Sequence, residues 1–234
     1  MFAYLPARGG SKRIPRKNIR PLGGKPLLAH VLDVLSAVRG LKGIAVSSED
    51  PEIRALAGSR PEVVTLAPRE ARLSDDRTGF LELVCEDVPR FATHFADQEL
   101  MFVTATAALV PATAFEAGIA RFRANPRGLT LGVTEFQPSA VLALAGAPHA
   151  ELKPLFPELY TLPTGELPRT FVDAGCFYFM DLRLTTGIRR FLDLTPVQAV
   201  VLPPEVGIDL DTPEDWRRLE AAFQAKSAKS RSDR

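Results

Sequence analysis

Cysteine is scarce in this chain. Only Cys85 and Cys176 occur, far apart and without a Cys-x-x-Cys or zinc-type spacing. A reduced, cytoplasmic setting is therefore the expectation. Histidine is nearly as rare. His30, His94 and His149 make no His-Glu-x-x-His pattern, and there is no Gly-x-Ser-x-Gly elbow. Zinc-protease and serine-hydrolase chemistry find no support. No apolar run reaches the roughly 18 residues that a membrane-spanning helix needs. The first residues lack the charged start and long apolar stretch of a secretory signal. Net charge is also nearly absent: 29 Lys and Arg face 28 Asp and Glu, for a formal charge of +1. That balance argues against a general nucleic-acid or membrane-surface binder.

What is present is a local excess of positive charge. The chain opens with an apolar run, then reads L-P-A-R-G-G-S-K-R-I-P-R-K-N-I-R, and no acidic residue precedes Asp33. Arg8, Lys12, Arg13, Arg16, Lys17 and Arg20 crowd one short segment. Like charges so close repel and require a counter-charge. Gly9 and Gly10 let backbone approach a ligand, and the flanking cations suit phosphate oxygens. The loop is neither Gly-x-x-x-x-Gly-Lys-[Ser/Thr] nor Gly-x-Gly-x-x-Gly, so P-loop and dinucleotide readings are weak. A solvated basic loop, or one that binds RNA backbone, stays open at this point. The segment lacks the interleaved aromatics that nucleic-acid binding favours.

A second signal is I-D-L-D-T-P-E-D-W. Asp209 and Asp211 stand two apart, so an extended segment puts both carboxylates on one face. Two hard oxygen ligands beside a triphosphate suit Mg²⁺, which keeps waters and takes further ligands from phosphates. Asp211 serving only to start the following helix is the alternative.

With 46% hydrophobic residues in 234, the chain can bury a large core. Strands are expected at residues 2–5, 44–47, 63–66, 100–104, 129–134, 172–180 and 199–202. Helices are expected from Pro26 onward and at 51–56, 78–95, 111–125, 182–192 and 212–223, with Pro89 as a bend or end. Alternation at this spacing implies βαβ units and a mostly parallel, Rossmann-like α/β sheet. Residues 1–134 form the first part of that core. Residues 135–171, rich in proline, glycine and alanine, form an insertion acting as a lid or subunit contact. Residues 172–225 complete the core and carry the acidic pair. Residues 226–234 are polar and basic and are expected to be disordered. Phe171, Phe177, Tyr178 and Phe179 are expected in the core.

The opening signature closely resembles that of the CMP-sialic acid synthetase family, the acylneuraminate cytidylyltransferases. The resemblance continues in L-G-G-K-P-L-L, S-S-E-D-P-E-I, L-S-D-D-R-T-G, G-V-T-E-F, D-A-G-C-F-Y-F and D-L-D-T-P-E-D-W. The S-D-D-x-T-G, V-T-E-F and D-A-G-x-F-Y segments look most like the pseudaminic acid branch. The resemblance implies a nucleotide-diphospho-sugar transferase type of sheet. It implies a homodimer in which the insertion crosses to the partner, with no nucleic-acid or membrane partner. It implies that CTP is coupled to a nonulosonic acid, giving a CMP-sugar and pyrophosphate, with Kdo or legionaminic acid as rival substrates. An idle CTP-binding homologue is the rival from outside the enzymes.

Carried over residue by residue, Ala7, Arg8, Gly9, Gly10, Ser11, Lys12 and Asn18 would bind the nucleotide, with Arg8 and Lys12 on the triphosphate. Ser74, Asp75 and Thr78 would border the cytidine. Lys17 would stabilise charge at the α-phosphate. Asp209 and Asp211 would hold Mg²⁺, one of them helping to deprotonate the attacking hydroxyl, so Arg8, Lys17 and Asp211 are the catalytic candidates. Thr104, Arg169 and Asp173 are the sugar-side candidates. The chain departs from the pattern there. Thr104 stands where relatives carry Gln or Tyr, Ala108 where proline is usual, and no arginine occurs at Pro163 or Thr164. Ala67 replaces an arginine, although Arg69 is close by.

Overall fold

The computed structural model describes residues 1–137, 139–147, 149 and 151–232. Seven strands make the central sheet: β1 (Phe2–Pro6), β2 (Ile44–Ser47), β3 (Val63–Val64), β4 (Glu99–Val103), β5 (Leu129–Glu135), β6 (Phe171–Asp181) and β7 (Val197–Val201). Their order across the sheet is β7-β5-β6-β4-β1-β2-β3. β1 pairs in parallel with β2 and β4, and β2 with β3. β6 runs antiparallel to both β4 and β5, while β5 and β7 are parallel. Six strands therefore share one direction and β6 opposes them, as the mostly parallel expectation required.

Strand alternation builds two cores. Ala3 and Leu5 of β1 face one side with Val46, Met101, Val103, Phe177 and Phe179. Phe2 and Tyr4 face the other with Ala45, Leu100, Phe102, Tyr178 and Met180. A central strand covered on both faces is apolar at every position, which is why these runs are unbroken. α1 (Leu27–Ser36) covers the first face with Leu28, Val31, Leu32 and Leu35. Trp216 and Leu219 of α5 (Pro213–Ser232) join it there. Val88, Phe91 and Ala92 of α3 (Val88–Phe95) seal the second. α2 (Pro51–Gly58) follows β2, and α4 (Ala112–Ala124) lies between β4 and β5.

Several boundaries differ from expectation for local reasons. Pro26 sits just before α1, which starts at Leu27. Residues Phe80–Glu82, Leu83–Asp87 and Val88–Phe95 follow without a break, and the middle segment is a π turn. Its wider winding lies just before Pro89, which has no N–H to give to the ladder. The helix expected at 182–192 does not form. Two short 3₁₀ turns, Leu182–Leu184 and Phe191–Asp193, stand there instead. Thr185 Oγ1 caps the first by donating to Leu182 O at 2.8 Å, and Gly187 then adopts φ 78°. That left-handed residue turns the chain out of the helix. At the C-terminus, Thr212 Oγ1 accepts from Asp215 N at 3.2 Å and starts α5, as a capping threonine should. The tail expected to be disordered is helical as far as Ser232. Lys226 there donates to Leu109 O at 3.2 Å. Asp233 and Arg234 lie outside the described residues.

The insertion carries only the short hairpin Leu144–Ala145 with Lys153–Pro154 and isolated 3₁₀ turns. Among the described residues, no helix is long and apolar enough to cross a membrane.

Candidate active site

Parallel α/β sheets bind ligands beyond the carboxyl ends of their strands, where neighbouring connections diverge. A cavity of about 390 Å³ opens at that edge. Pro6 ends β1 there, Thr104 follows β4, and Gly175 lies near the start of the opposed β6. Arg8, Ser11, Lys17, Asn18, Asp75, Thr78, Thr104 and Asp209 all line it. The basic loop, the S-D-D-R-T segment and the acidic pair are thus brought to one place from the two ends of the chain.

The loop is held by specific contacts. Gly9 N donates to Glu49 Oε1 at 2.8 Å. A Cβ at Gly9 would collide with the Asp50 carboxylate, so the first glycine is a packing requirement. Asp50 is fixed because its Oδ1 caps α2, accepting from Glu52 N and Ile53 N at 2.9 and 3.0 Å. Gly10 faces open space and is exposed. Asn18 is buried and its Nδ2 donates to Arg8 O at 2.8 Å, which sets the loop's shape. Ala7 is buried behind it.

Lys17 Nζ donates to Leu210 O at 2.7 Å, so it sits between the two aspartates. Burial lowers the Lys17 pKa, and Asp209 and Asp211 oppose that shift. The Asp209 carboxyl is pushed up, first by burial and then by Asp211, with Lys17 pulling it back. The two aspartates are not equivalent. Asp209 lines the cavity, whereas Asp211 Oδ1 accepts from Arg13 Nη2 at 2.7 Å and is half exposed.

Asp75 is engaged in its own turn. Its Oδ1 accepts from Arg77 N and Thr78 N, both at 2.8 Å, which hold its pKa down. Ser74 is off the cavity and accepts from Arg69 Nε at 2.9 Å. Arg69 is buried at the cavity wall, and its Nη2 reaches Glu49 Oε2 at 3.3 Å.

The sugar-side candidates separate. Thr104 Oγ1 donates to Gly175 O at 2.6 Å, and Thr106 Oγ1 to the same oxygen at 2.9 Å. Asp173 lies behind the wall, where it accepts from Gly175 N and from Tyr178 Oη, both at 2.8 Å. Burial and the Asp173 carboxylate push the Tyr178 hydroxyl pKa up. Arg169 is elsewhere: its guanidinium pairs with Glu135 at 2.6 Å and lies over the Phe171 ring. Phe171 itself is exposed, contrary to the core expectation, whereas Phe177 and Phe179 are fully buried.

Sequence reasoning passed over Asp76, Phe80 and Phe102, which meet the cavity, and assigned Tyr178, which also lines it, to the core. Asp76 stands beside the chosen Asp75, and the doubled aspartate was the available signal. Phe80 packs against Phe102 and Tyr178 with ring centroids 4.4 and 4.8 Å apart. These three rings form the cavity's apolar side, and no periodicity marks them as pocket rather than core.

The fold is shared with solved structures. One is a CMP:2-keto-3-deoxy-manno-octonic acid synthetase complexed with CTP, with a TM-score of 0.69 at 14% identity, covering 96% of this chain and 98% of that one. Another is a 4-diphosphocytidyl-2C-methyl-D-erythritol synthase, with a TM-score of 0.62 at 15% identity over 95% and 98% of the two chains. In sequence the chain is 29% identical to a pseudaminic acid cytidylyltransferase of Campylobacter jejuni, over 92% of each chain. The profile of the cytidylyltransferase family matches residues 3–129, more than half of the chain. That stretch contains the glycine-bearing cationic loop and the segment that borders the cavity with it, so the chain belongs to the cytidylyltransferase family and is a nucleotidyltransferase.

Proposed function

We propose that this enzyme couples CTP to a nonulosonic acid of the pseudaminic type, giving a CMP-sugar and pyrophosphate. The observation that carries the reading is the meeting of Arg8, Lys17 and Asn18 with Asp209 in one cavity. The similarity to a pseudaminic acid cytidylyltransferase along 92% of the chain supports the choice of sugar.

In this reading the anomeric hydroxyl oxygen of the sugar acid attacks the α-phosphorus of CTP. A new P–O bond forms and the bond to the β-phosphate bridging oxygen breaks. Pyrophosphate departs with the bonding pair, and the hydroxyl proton passes to a carboxylate. Asp209 is the carboxylate on the cavity wall, so it is the one placed to receive that proton by way of a bound water. Arg8 and Lys12 hold the triphosphate, and Lys17 meets the charge that grows at the α-phosphate. Positioning and charge neutralisation carry most of such a reaction. Ser11 and Asn18 shape the loop, and Thr78 with Asp75 borders the nucleoside. Thr104 and the turn set by Asp173 face the sugar. Arg169 would join them only after releasing Glu135.

Asp209 fits Mg²⁺, and Asp211 would join it after releasing Arg13. Burial first, and then repulsion from Asp211, raises the Asp209 pKa, and a bound cation would offset both. Among the described residues no third His, Cys, Asp or Glu completes a metal cluster. Mg²⁺ takes its other ligands from water and phosphate. Bound there, Mg²⁺ would neutralise charge on the triphosphate. A second copy of the chain is the proposed partner, since the insertion exposes Leu144, Leu152, Leu155 and Phe156. The proposed compartment is the cytoplasm, where CTP is made, and both cysteines are free.

The test is pyrophosphate release with Mg²⁺ across pseudaminic, legionaminic, N-acetylneuraminic and Kdo acids. Release is expected from CTP with pseudaminic acid, and not from ATP, GTP or UTP. Release with Kdo or legionaminic acid alone would reassign the sugar. No release with any acid, from protein that binds CTP, would favour the idle homologue.

A further inference from the structure

The phosphate-binding cations are not free. Arg8 Nη1 donates to Asp76 Oδ1 at 2.7 Å, and Lys12 Nζ lies 2.5 Å from Asp76 Oδ2. One carboxylate thus spans both cations, and it lines the same cavity as Arg8. Contacts to Lys12 and Arg8 hold its pKa down. A carboxylate bridging two cations has the shape and charge of two phosphate oxygens. Asp76 also sits inside a segment tied to the pocket on either side. Asp75 makes the turn over residues 75–78, and Ser74 accepts from buried Arg69. Gly79 and Phe80 follow directly on the cavity wall.

We infer that Asp76 is an internal stand-in for the triphosphate: its carboxylate occupies the Arg8–Lys12 anion cradle in the empty enzyme, and the nucleotide must displace it to bind. This rests on the assignment of Arg8 and Lys12 to the triphosphate. The physical advantage is twofold. The cations are kept apart and aimed before substrate arrives, where otherwise they would repel. Binding then exchanges one anion for another, so the cradle discriminates against weak monoanions and returns to Asp76 when pyrophosphate leaves. Asp76 is a positioning residue that acts through Arg8 and Lys12. The exchange also moves the 74–79 segment, which links triphosphate binding to the wall formed by Phe80.

The experiment is calorimetric titration with inorganic pyrophosphate, and separately with CTP, of the wild-type protein, Asp76→Asn and Asp76→Glu. The asparagine keeps the shape but removes the competing charge, and the half-exposed site tolerates it without unfolding. Asp76→Asn is expected to bind pyrophosphate about tenfold more tightly, which is the effect of roughly 1.4 kcal/mol of lost competition. Asp76→Glu is expected to stay within about twofold of wild type, because it restores the charge. Equal or weaker pyrophosphate binding by Asp76→Asn would overturn the inference, since a merely supporting residue weakens the cradle when altered. If no variant binds pyrophosphate or CTP, the anion-cradle reading falls together with it. If wild type binds both and Asp76→Asn matches it, only the Asp76 inference falls.

Discussion

Each of the six cations between Arg8 and Arg20 finds its partner far away in sequence. Asp76 takes Arg8 and Lys12, and Asp211 takes Arg13. Arg16 reaches Asp50 and Glu52, Lys17 the Leu210 carbonyl, and Arg20 the Trp216 ring at 4.4 Å. The counter-charge that the sequence demanded is therefore supplied internally, by residues that no local pattern links to the loop. Exposed pairs of this kind contribute little to stability, so their role is to orient. The two thiols differ just as clearly. Burial pushes the Cys176 pKa up to about 12, whereas Cys85 is exposed, with its own pKa also raised. A raised thiol pKa means little thiolate at neutral pH, and thiolate is the reactive form. One thiol per chain is expected to react with Ellman's reagent in the native protein, faster as pH rises, and two in denaturant. Two fast-reacting thiols in native protein would show that the Cys176 turn is open.

At the scale of elements, β6 decides the site. Its pairing with β5 steps from Asp173 against Val133 to Tyr178 against Leu131. The four residues between them on β6 therefore oppose the single Gly132 on β5, and the surplus bulges toward the cavity. Bulges re-aim side chains near functional sites. Gly175 sits in this one at φ 62°, with a Cβ position 3.0 Å from Asp209 Cγ. Gly175→Ala is expected to cost about 1–2 kcal/mol from left-handed backbone alone. It should also push Asp209 from its place, so kcat should fall at least tenfold beyond any stability effect. Melting curves and turnover of the same variant check both. Wild-type turnover would show that Asp209 placement is unimportant. The D-A-G-C-F-Y-F segment was legible as a strand, with Asp173 as a sugar-side candidate. The bulge was not, because periodicity describes only regular pairing. The missing 182–192 helix has the same cause in reverse: its apolar spacing suggested a helix, and Thr185 and Gly187 ended it after one turn.

For the whole molecule, the sheet order brings residues 8–18, 69–80, 104–106, 175–178 and 209 around one cavity. The insertion stands outside that cavity and exposes Leu144, Leu152, Leu155, Phe156 and Tyr160. A monomer seldom leaves so many large apolar side chains in water. Light scattering should give twice the mass of 25.5 kDa. Replacing Leu152 and Leu155 with aspartate should halve that value while leaving the far-UV circular dichroism unchanged. A wild-type monomer at micromolar concentration would remove the second copy from the account.

The sequence by itself determined the strands and most helices, because burial on two faces demands unbroken apolar runs and helix starts favour residues such as Thr212 and Pro213. It also determined the cationic loop and the paired aspartates, since charge and glycine placement are written locally. Only the tertiary structure decided that Asp209 faces the cavity while Asp211 turns to Arg13. Only it set Asp76 across Arg8 and Lys12, joined Arg69 and the Phe80–Phe102–Tyr178 rings to the wall, and kept Arg169 with Glu135. Those choices depend on which strand ends become neighbours, and strand order is a property of the folded sheet that no stretch of sequence carries.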